Sequence, residues 1–367
     1  MNDLATRIAA IIRREGPIGL DRFWNLSLFD AKAGYYATKN PFGRAGDFVT
    51  APEVSQMFGE LLGAWVAAAW DGLGRPRPFR LVEIGPGRGT LMADMLRTLR
   101  RAAPPSLGAA SIHLVETSET LAAIQSETLS PLDLPIRRHR SLAEVPGGPA
   151  LVVANELFDA LAIRQFVFDG AAFRERCVGL SEAGQLEFVL CEPLAPQPPA
   201  ALLPHPPAAG AVLEASPERD ALAVRLADRL AAEGGAALLI DYGHGETAFG
   251  DTLQAIREHA YADPLDRPGG ADLTSHVDFG RLGHIFAARR LTVAPLATQG
   301  EFLLGLGLIE RAGVLGAPMD AAGRRRIEAA VARLAGSGPG QMGALFKVLA
   351  VASQPLRLPP FAPDPSD

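Results

Sequence analysis

The sequence predicts a doubly wound, Rossmann-like α/β fold, and three observations carry that prediction. Short apolar runs without polar alternation recur from Arg80 to Ile84, Ser111 to Val115, Pro149 to Ala154 and Ala237 to Asp241, which suits parallel strands covered on both faces. Segments with apolar residues at helical spacing alternate with them, as from Leu91 to Arg100 and from Ser118 to Leu129. The first of these strands runs directly into a glycine-rich turn, Gly85-Pro86-Gly87-Arg88-Gly89, at the place where such folds hold a ligand.

Taken in order, residues 1 to 79 read as a helical amino-terminal elaboration. It has an amphipathic opening helix, a Gly- and aromatic-rich loop from Ala33 to Thr50, and an apolar helix from about Val54 to Trp70. The first half of the core, residues 80 to 159, adds a third strand from Ile136 to His139. Shorter strands at Arg164 to Phe168, Phe173 to Val178 and Leu186 to Leu190, with a turn at Asp169-Gly170, read as an antiparallel β insertion. The insertion ends in a proline-rich connector, Pro193 to Pro207, so that insertion and connector together occupy residues 160 to 215. The core resumes at residue 216 with a helix from Pro217 to Glu233, started by Ser216 and a proline at the first helical position. After the fifth strand come a loop from Asp263 to Thr274, a helix near Asp278 to Arg289, a strand from Leu291 to Pro295, a further helical stretch, and a final strand from Ala344 to Ala352. The tail from Gln354 to Asp367 is expected to be disordered.

At 367 residues and 48% hydrophobic, the chain has material for one elaborated catalytic domain or two. No run approaches the roughly 20 apolar residues of a membrane span. The opening helix mixes Asp3 and Glu15 among its arginines, unlike a signal peptide or a mitochondrial presequence, so a bacterial cytoplasm is the expected compartment. A net charge of −6 and a pI near 5.7 argue against a nucleic-acid binder that works by neutralising phosphates. The two cysteines, Cys177 and Cys191, have neither metal-ligand spacing nor the density of a secreted scaffold, and the core is expected to fold without cross-links. No His, Cys, Asp and Glu set suggests a metal site, and no Gly-x-Ser-x-Gly elbow suggests a hydrolase.

The glycine turn lets the backbone approach a ligand without interference from Cβ atoms. A dinucleotide turn is Gly-x-Gly-x-x-Gly; here the glycines are one residue closer and Glu83 precedes them, which favours S-adenosyl-L-methionine over a phosphate-bearing cofactor, with an oxidoreductase as the alternative. The sulfonium donor carries no phosphate and needs acceptors for its ribose and ammonium. Glu116, at the end of the second strand, is placed to accept from both ribose hydroxyls, and Ser141 and Leu142, after the third strand, are placed to cover an adenine. The expected donor set is therefore Glu83, Gly85, Pro86, Gly87, Gly89, Glu116, Ser141 and Leu142, with Thr50, Pro52 and Gln56 added from the amino-terminal elaboration.

The reacting end is sought after the fourth strand, in Asn155-Glu156-Leu157-Phe158-Asp159, read as a turn entering a helix. The bland reading gives Asn155 and Asp159 a capping role and Glu156 a favourable place on the helix dipole. The functional reading makes Glu156, then Asp159, the carboxylates that grip a cationic acceptor, with Asn155 beside them as a further catalytic candidate. A guanidinium has a pKa above about 12, so catalysis on it needs bidentate carboxylates that localise its charge and take up the departing proton. The Asn-Pro-Pro-Tyr signature of enzymes acting on nucleic-acid amines is absent. In the amino-terminal elaboration, Thr50 and Pro52 read as a helix start, while Asp47 and Gln56 suggest a lid over the donor. His244, in Asp241-Tyr242-Gly243-His244, and His276 are candidate proton acceptors, though a lone histidine is more often structural.

These segments together resemble the MidA family of methyltransferases, the group that includes the mitochondrial complex I assembly factor with protein-arginine methyltransferase activity. The carriers are Gly46 to Gln56, Val82 to Leu91, Asn155 to Leu161, Asp241 to His244, Asp263 to Leu265 with Asp272 to Thr274, and Thr298 to Gly300, spread over nearly the whole chain. The resemblance implies a class I methyltransferase fold, S-adenosyl-L-methionine as donor, and a protein arginine as acceptor, in a core subunit of respiratory complex I or its bacterial equivalent. The competing readings are a small-molecule O- or N-methyltransferase and a catalytically silent assembly chaperone on the same fold. The insertion is read as a surface for a partner or for a second copy of the chain, a homodimer.

Overall fold

The structure, a computed structural model, describes residues 3–38, 50–191, 203, 205–356 and 360–361. The expected lid residue Asp47 with its neighbours 46 to 49, most of the proline-rich connector and most of the tail lie outside the described residues. The chain divides into two compact units.

One unit comprises Val49–Leu157, Ala223–Gly243 and Gly283–Asp367 and carries the glycine turn. Its parallel strands are Phe79–Ile84, Ala110–Val115, Ile136–His139, Ala150–Asn155 and Gly235–His244. They lie in the order third, second, first, fourth, fifth, so the order reverses between the first strand and the fourth. This is the switch point of a doubly wound sheet, where ligands bind beyond the strands' carboxyl ends. The last strand, Phe346–Ala352, lies antiparallel beside the fifth. The strand expected from Leu291 to Pro295 shrinks to Thr292–Val293, which pairs with the last strand, as does Ala297–Thr298.

The helix expected from Val54 to Trp70 is broken in two, Ala51–Val54 and Gln56–Gly72. Ser55 is extended between them (φ −163°, ψ 141°), and its hydroxyl accepts from the Met57 N–H, capping the longer helix. That helix crosses Thr90–Ala102 at close range because Gly59 carries no side chain: a Cβ there would lie 2.4 Å from Cβ of Asp94. Phe58, Leu62, Trp65, Met92, Met95 and Leu96 fill the contact as part of one continuous apolar core.

The other unit comprises Met1–Phe48, Phe158–Leu222 and His244–Leu282. The amino-terminal elaboration is not helical throughout. Ile18 and Gly19 form a short strand opposite Val178 and Cys177 of the insertion, and Leu4, Ile8, Phe23 and Trp24 share a core with Val178 and Leu273. The indole N–H of Trp24 donates to the carbonyl of Ala160 at 2.8 Å. The insertion's expected strands form at Arg164–Phe168, Phe173–Leu180 and Leu186–Leu190, and a further strand, Val212–Ala215, pairs with the first of them. A further small sheet, Gln254–Arg257, Ala260–Ala262 and Asp272–Thr274, takes the end of the segment expected to be loop from Asp263 to Thr274.

The expectation of a fold without cross-links is corrected here: Cys177 and Cys191 are joined as a disulfide across Cα atoms 6.0 Å apart. The reason is the hairpin of Phe173–Leu180 and Leu186–Leu190, in which Cys177 faces Val189, so the chain leaving the second strand returns to within bonding reach. A bond closing a loop of about 15 residues is worth up to about 3 kcal/mol through the unfolded chain. Protein purified without reductant is therefore expected to titrate no free thiol in denaturant, and reduction is expected to lower its denaturation midpoint accordingly. Two titratable thiols in the oxidised preparation would contradict the pairing.

Candidate active site

The turn after the first strand is held open by backbone conformation. Gly85, Gly87 and Gly89 all have positive φ, at 70°, 51° and 82°, a region in which a Cβ is strained. The turn is closed by hydrogen bonds from Gly85 N–H to the carbonyl of Val115 (3.0 Å) and from Gly89 N–H to that of Pro86 (2.7 Å). Gly89 then starts the helix Thr90–Ala102 without any side-chain cap, leaving the helix's first N–H groups at the mouth of the turn. Space is also short: a Cβ on Gly85 would meet Cδ1 of Leu157 at 2.9 Å.

Three acids surround the turn in three different environments. Glu83 is buried beneath it, 2% exposed, and one carboxyl oxygen has no hydrogen-bond partner among the described residues. Burial pushes its carboxyl up to about 8 and the charge of Glu116 adds to this, against a hydrogen bond from the Met92 N–H. Glu116 ends the second strand, where its own N–H is held by the carbonyl of His139 at 2.9 Å. Its oxygens accept from Ser118 N–H (2.7 Å) and from Gln125 Nε2 (3.1 Å), and burial raises its pKa. The strands leading to it carry His113 and His139, whose rings share a hydrogen bond of 2.9 Å. Burial lowers both, His113 to about 4.

The third acid, Glu53, ties the short helix Ala51–Val54 to the turn: it accepts from the Thr90 hydroxyl at 2.5 Å and pairs with Arg88 at 3.5 Å. At the other end of that helix, Ala51 N–H donates to Glu156 at 3.1 Å, and Asn155 Nδ2 donates to the same oxygen at 3.0 Å. Thr50 occupies the cap position with Pro52 in the first turn, as expected, but its side chain makes no capping bond; the carboxylate of Glu156 satisfies the helix start instead.

The residues after the fourth strand do not enter a helix. Asn155 ends the strand, Glu156 turns the chain in the left-handed region (φ 50°), and bends and turns lead to the strand at Arg164. The capping and dipole readings of Asn155, Glu156 and Asp159 are thereby overturned, since no helix follows for them to cap. A non-glycine residue at positive φ is uncommon and marks a position that its surroundings over-determine.

The remaining expected residues have partners of their own. Gln56 is exposed, its amide on Glu60 of the same helix at 3.1 Å, and Glu60 is in turn held by Arg311 through two bonds of 2.7 Å. Ser141 bonds to Glu144 at 3.3 Å, while Leu142 is buried. Asp159 and His244 belong to the other compact unit. His244 Nδ1 shares a 2.6 Å contact with the carbonyl of Glu246, and the backbone N–H of His276 donates to the hydroxyl of Thr252 at 2.9 Å. Asp159 is buried there, and burial, followed by the charges of Asp272 and Asp159, pushes the Tyr36 hydroxyl well above its ordinary range. Sequence reasoning missed Arg219, a buried guanidinium that donates to the carbonyls of Phe158 (2.6 Å), Asp159 (3.2 Å) and His276 (2.7 Å) and to the hydroxyl of Ser275 (2.7 Å). Its only sequence signal is a charge in the first turn of a capped helix.

Comparison with known proteins bears on this geometry. The profile of the S-adenosyl-L-methionine-dependent methyltransferase family matches residues 61–296. The mitochondrial protein arginine methyltransferase NDUFAF7 homolog of Drosophila melanogaster is 35% identical over 95% of this chain and 84% of its own. Protein arginine methyltransferase NDUFAF7 of Homo sapiens, also mitochondrial, is 35% identical over 83% of this chain and 73% of its own. A crystal structure from Burkholderia thailandensis with S-adenosyl-homocysteine bound is similar at a TM-score of 0.83 and 29% identity, covering 95% of this chain and 91% of that one. Among the described residues no helix is long and apolar enough to cross a membrane.

Two substitutions test the turn through stability. Gly85→Ala is expected to cost about 2 kcal/mol or more, from left-handed strain and the contact with Leu157, whereas Gly108→Ala, with nothing within 4 Å of its Cβ, is expected to be neutral or stabilising; equal effects in urea denaturation would contradict this. For Glu83, a folded pKa of about 8 against an unfolded 4.5 means that stability is intact below pH 4.5 and falls as pH rises towards 8. Relative to Glu83→Gln, wild-type stability is expected to drop by on the order of 3 kcal/mol between pH 5 and 8, and a pH-independent difference would disprove the raised pKa.

Proposed function

The chain belongs to the S-adenosyl-L-methionine-dependent methyltransferase family, and from that premise we propose that its acceptor is an arginine side chain of a protein. The observation that carries this reading is Glu156, a carboxylate fixed in a left-handed backbone conformation at the switch point, beside the residue whose side chain packs on Gly85.

The turn fits the donor. Its three left-handed glycines let the backbone approach closely, and its single cation, Arg88, is paired with Glu53, so no free positive charge of the turn opposes a sulfonium. When bound, the donor supplies an electrophilic methyl group on sulfur. Gly85, Pro86, Gly87 and Gly89 form the cradle, Glu83 supports it from below as a neutral acid, and Glu116 accepts from the sugar.

The chain's remaining task is to present a nitrogen lone pair in line and to exclude water. A guanidinium shares its lone pairs with its π system and never loses its proton at neutral pH. Glu156 is the group we assign to draw the positive charge to the far side of the guanidinium, leaving the attacking nitrogen richer in electron density, and to accept the proton that leaves. The two hydrogen bonds already on one of its oxygens, from Ala51 and Asn155, fix the carboxylate plane and orient the other oxygen. The Drosophila and human relatives are named protein arginine methyltransferases, which supports the same acceptor. We further infer, from the resemblance to the MidA family, that the acceptor protein is a core subunit of a complex I-type enzyme.

Incubation of a cell lysate with methyl-labelled donor tests the proposal. Label is expected in one protein band, recovered as methylarginine, with the rate reduced at least ~10²-fold in Glu156→Gln while S-adenosyl-homocysteine still binds. Label confined to small molecules would refute the protein acceptor; undiminished labelling by the variant would refute the role of Glu156.

A further inference from the structure

Gln125 lies on the helix Glu119–Leu129, is wholly buried, and has no role in the reading above. Its Nε2 donates at once to the carbonyl of Gly87 (2.8 Å) and to Glu116 (3.1 Å). Both partners are acceptors, which fixes the amide orientation: the NH₂ faces them, and the amide oxygen, buried and without a hydrogen-bond partner among the described residues, points away. The turn also lies against this residue, since a Cβ on Gly89 would be in van der Waals contact with Cα and Cγ of Gln125 at 3.5 Å. One side chain therefore joins the centre of the glycine turn to the acid at the end of the next strand.

The consequence follows from lone-pair arithmetic. An ionised carboxylate offers about four acceptor positions. The backbone N–H groups of Ser118 and Thr117 and the amide of Gln125 all donate to Glu116, Ser118 on one oxygen and Gln125 on the other, which fixes the carboxylate plane and leaves acceptor capacity for the hydroxyls of a ribose. Without Gln125 the carboxyl group is free to rotate about its last bond and to settle on the two backbone N–H groups alone. Resting on the assignment of Glu116 to the donor's sugar, we propose that Gln125 is a positioning residue that sets the site's selectivity for a ribose with both hydroxyls. It acts through Glu116 and touches no reacting atom.

Binding of S-adenosyl-homocysteine and of its 2′-deoxy analogue, measured by calorimetry, tests this. Gln125→Met keeps length and volume but removes both hydrogen bonds; Gln125→Asn keeps the amide but withdraws it by one methylene. The wild type is expected to prefer the ribose form about tenfold or more, the scale of a hydrogen bond to a charged acceptor. In both variants that preference is expected to collapse to within about twofold or threefold, through weaker binding of the ribose form and little change for the deoxy form. The thermal midpoint of each variant gives an independent check that it is folded. Equal weakening of the two ligands, or a preserved preference, would overturn the inference while leaving the donor assignment intact. Absence of any preference in the wild type would instead overturn the assignment of Glu116 to the sugar, and the inference with it.

Discussion

The left-handed backbone of Gly85, Gly87 and Gly89 is the constraint around which the rest of this site is arranged. The three glycines supply no side chains, and the turn's one cation, Arg88, is tied to Glu53, so the acids of the site come from neighbouring elements. The sheet order provides them: the first strand lies between the second and the fourth, so the turn has Glu116 on one side and Asn155 with Glu156 on the other. Each is brought to the same level by strand register, Ile84 standing opposite both Val115 and Ala154. The acids then differ through their environments alone. Glu83, sealed beneath the turn, is neutral; Glu53 is tied to a cation and a hydroxyl; Glu156 is fixed by two N–H donors. Carboxylates of identical chemistry thus serve as a support, a fastening and a candidate base.

Much of this was legible in the residues. The parallel strands are covered on both faces, so they appear as unbroken apolar runs; the first four lie within one residue of the expected bounds, and the fifth extends beyond them at both ends, from Gly235 to His244. The helix Pro217–Glu233 and the strands Arg164–Phe168 and Leu186–Leu190 fall on the residues expected of them, because a capping serine with proline, or a Gly turn between β-branched and aromatic runs, is a local signal. The glycine turn and Glu116 were legible for the same reason, since spacing after a strand is a property of the chain itself.

What escaped the reading depends on partners distant in sequence. Ile18 and Gly19 become a strand only because Val178 and Cys177 are there to pair with them, and two residues carry no period. Cys177 and Cys191 gain their bond from the hairpin between them rather than from any cysteine pattern. Asn155 to Asp159 has the composition of a helix start, yet the backbone of Glu156 turns left-handed and no helix forms. Gln125 and Arg219 look like ordinary polar positions on helix surfaces; only burial, which no single sequence reports, reveals that each is a structural tie. Of the expected site, the glycine turn, Glu83, Glu116, Asn155 and Glu156 share one compact unit, whereas Asp159 and His244 fall in the other.

The four-residue helix Ala51–Val54 is fastened at both ends, through Ala51 to Glu156 and through Glu53 to Thr90 and Arg88. Adding or removing one residue between the fastenings would rotate the second by about 100° relative to the first, so only one of the two could survive. A segment of this kind can exchange its side chains other than Glu53 over generations but not gain or lose length. Insertions and deletions should therefore accumulate elsewhere in the lineage, which makes constancy of length here, together with the acid at position 53, the mark by which descendants retaining this arrangement can be told from those that have lost it.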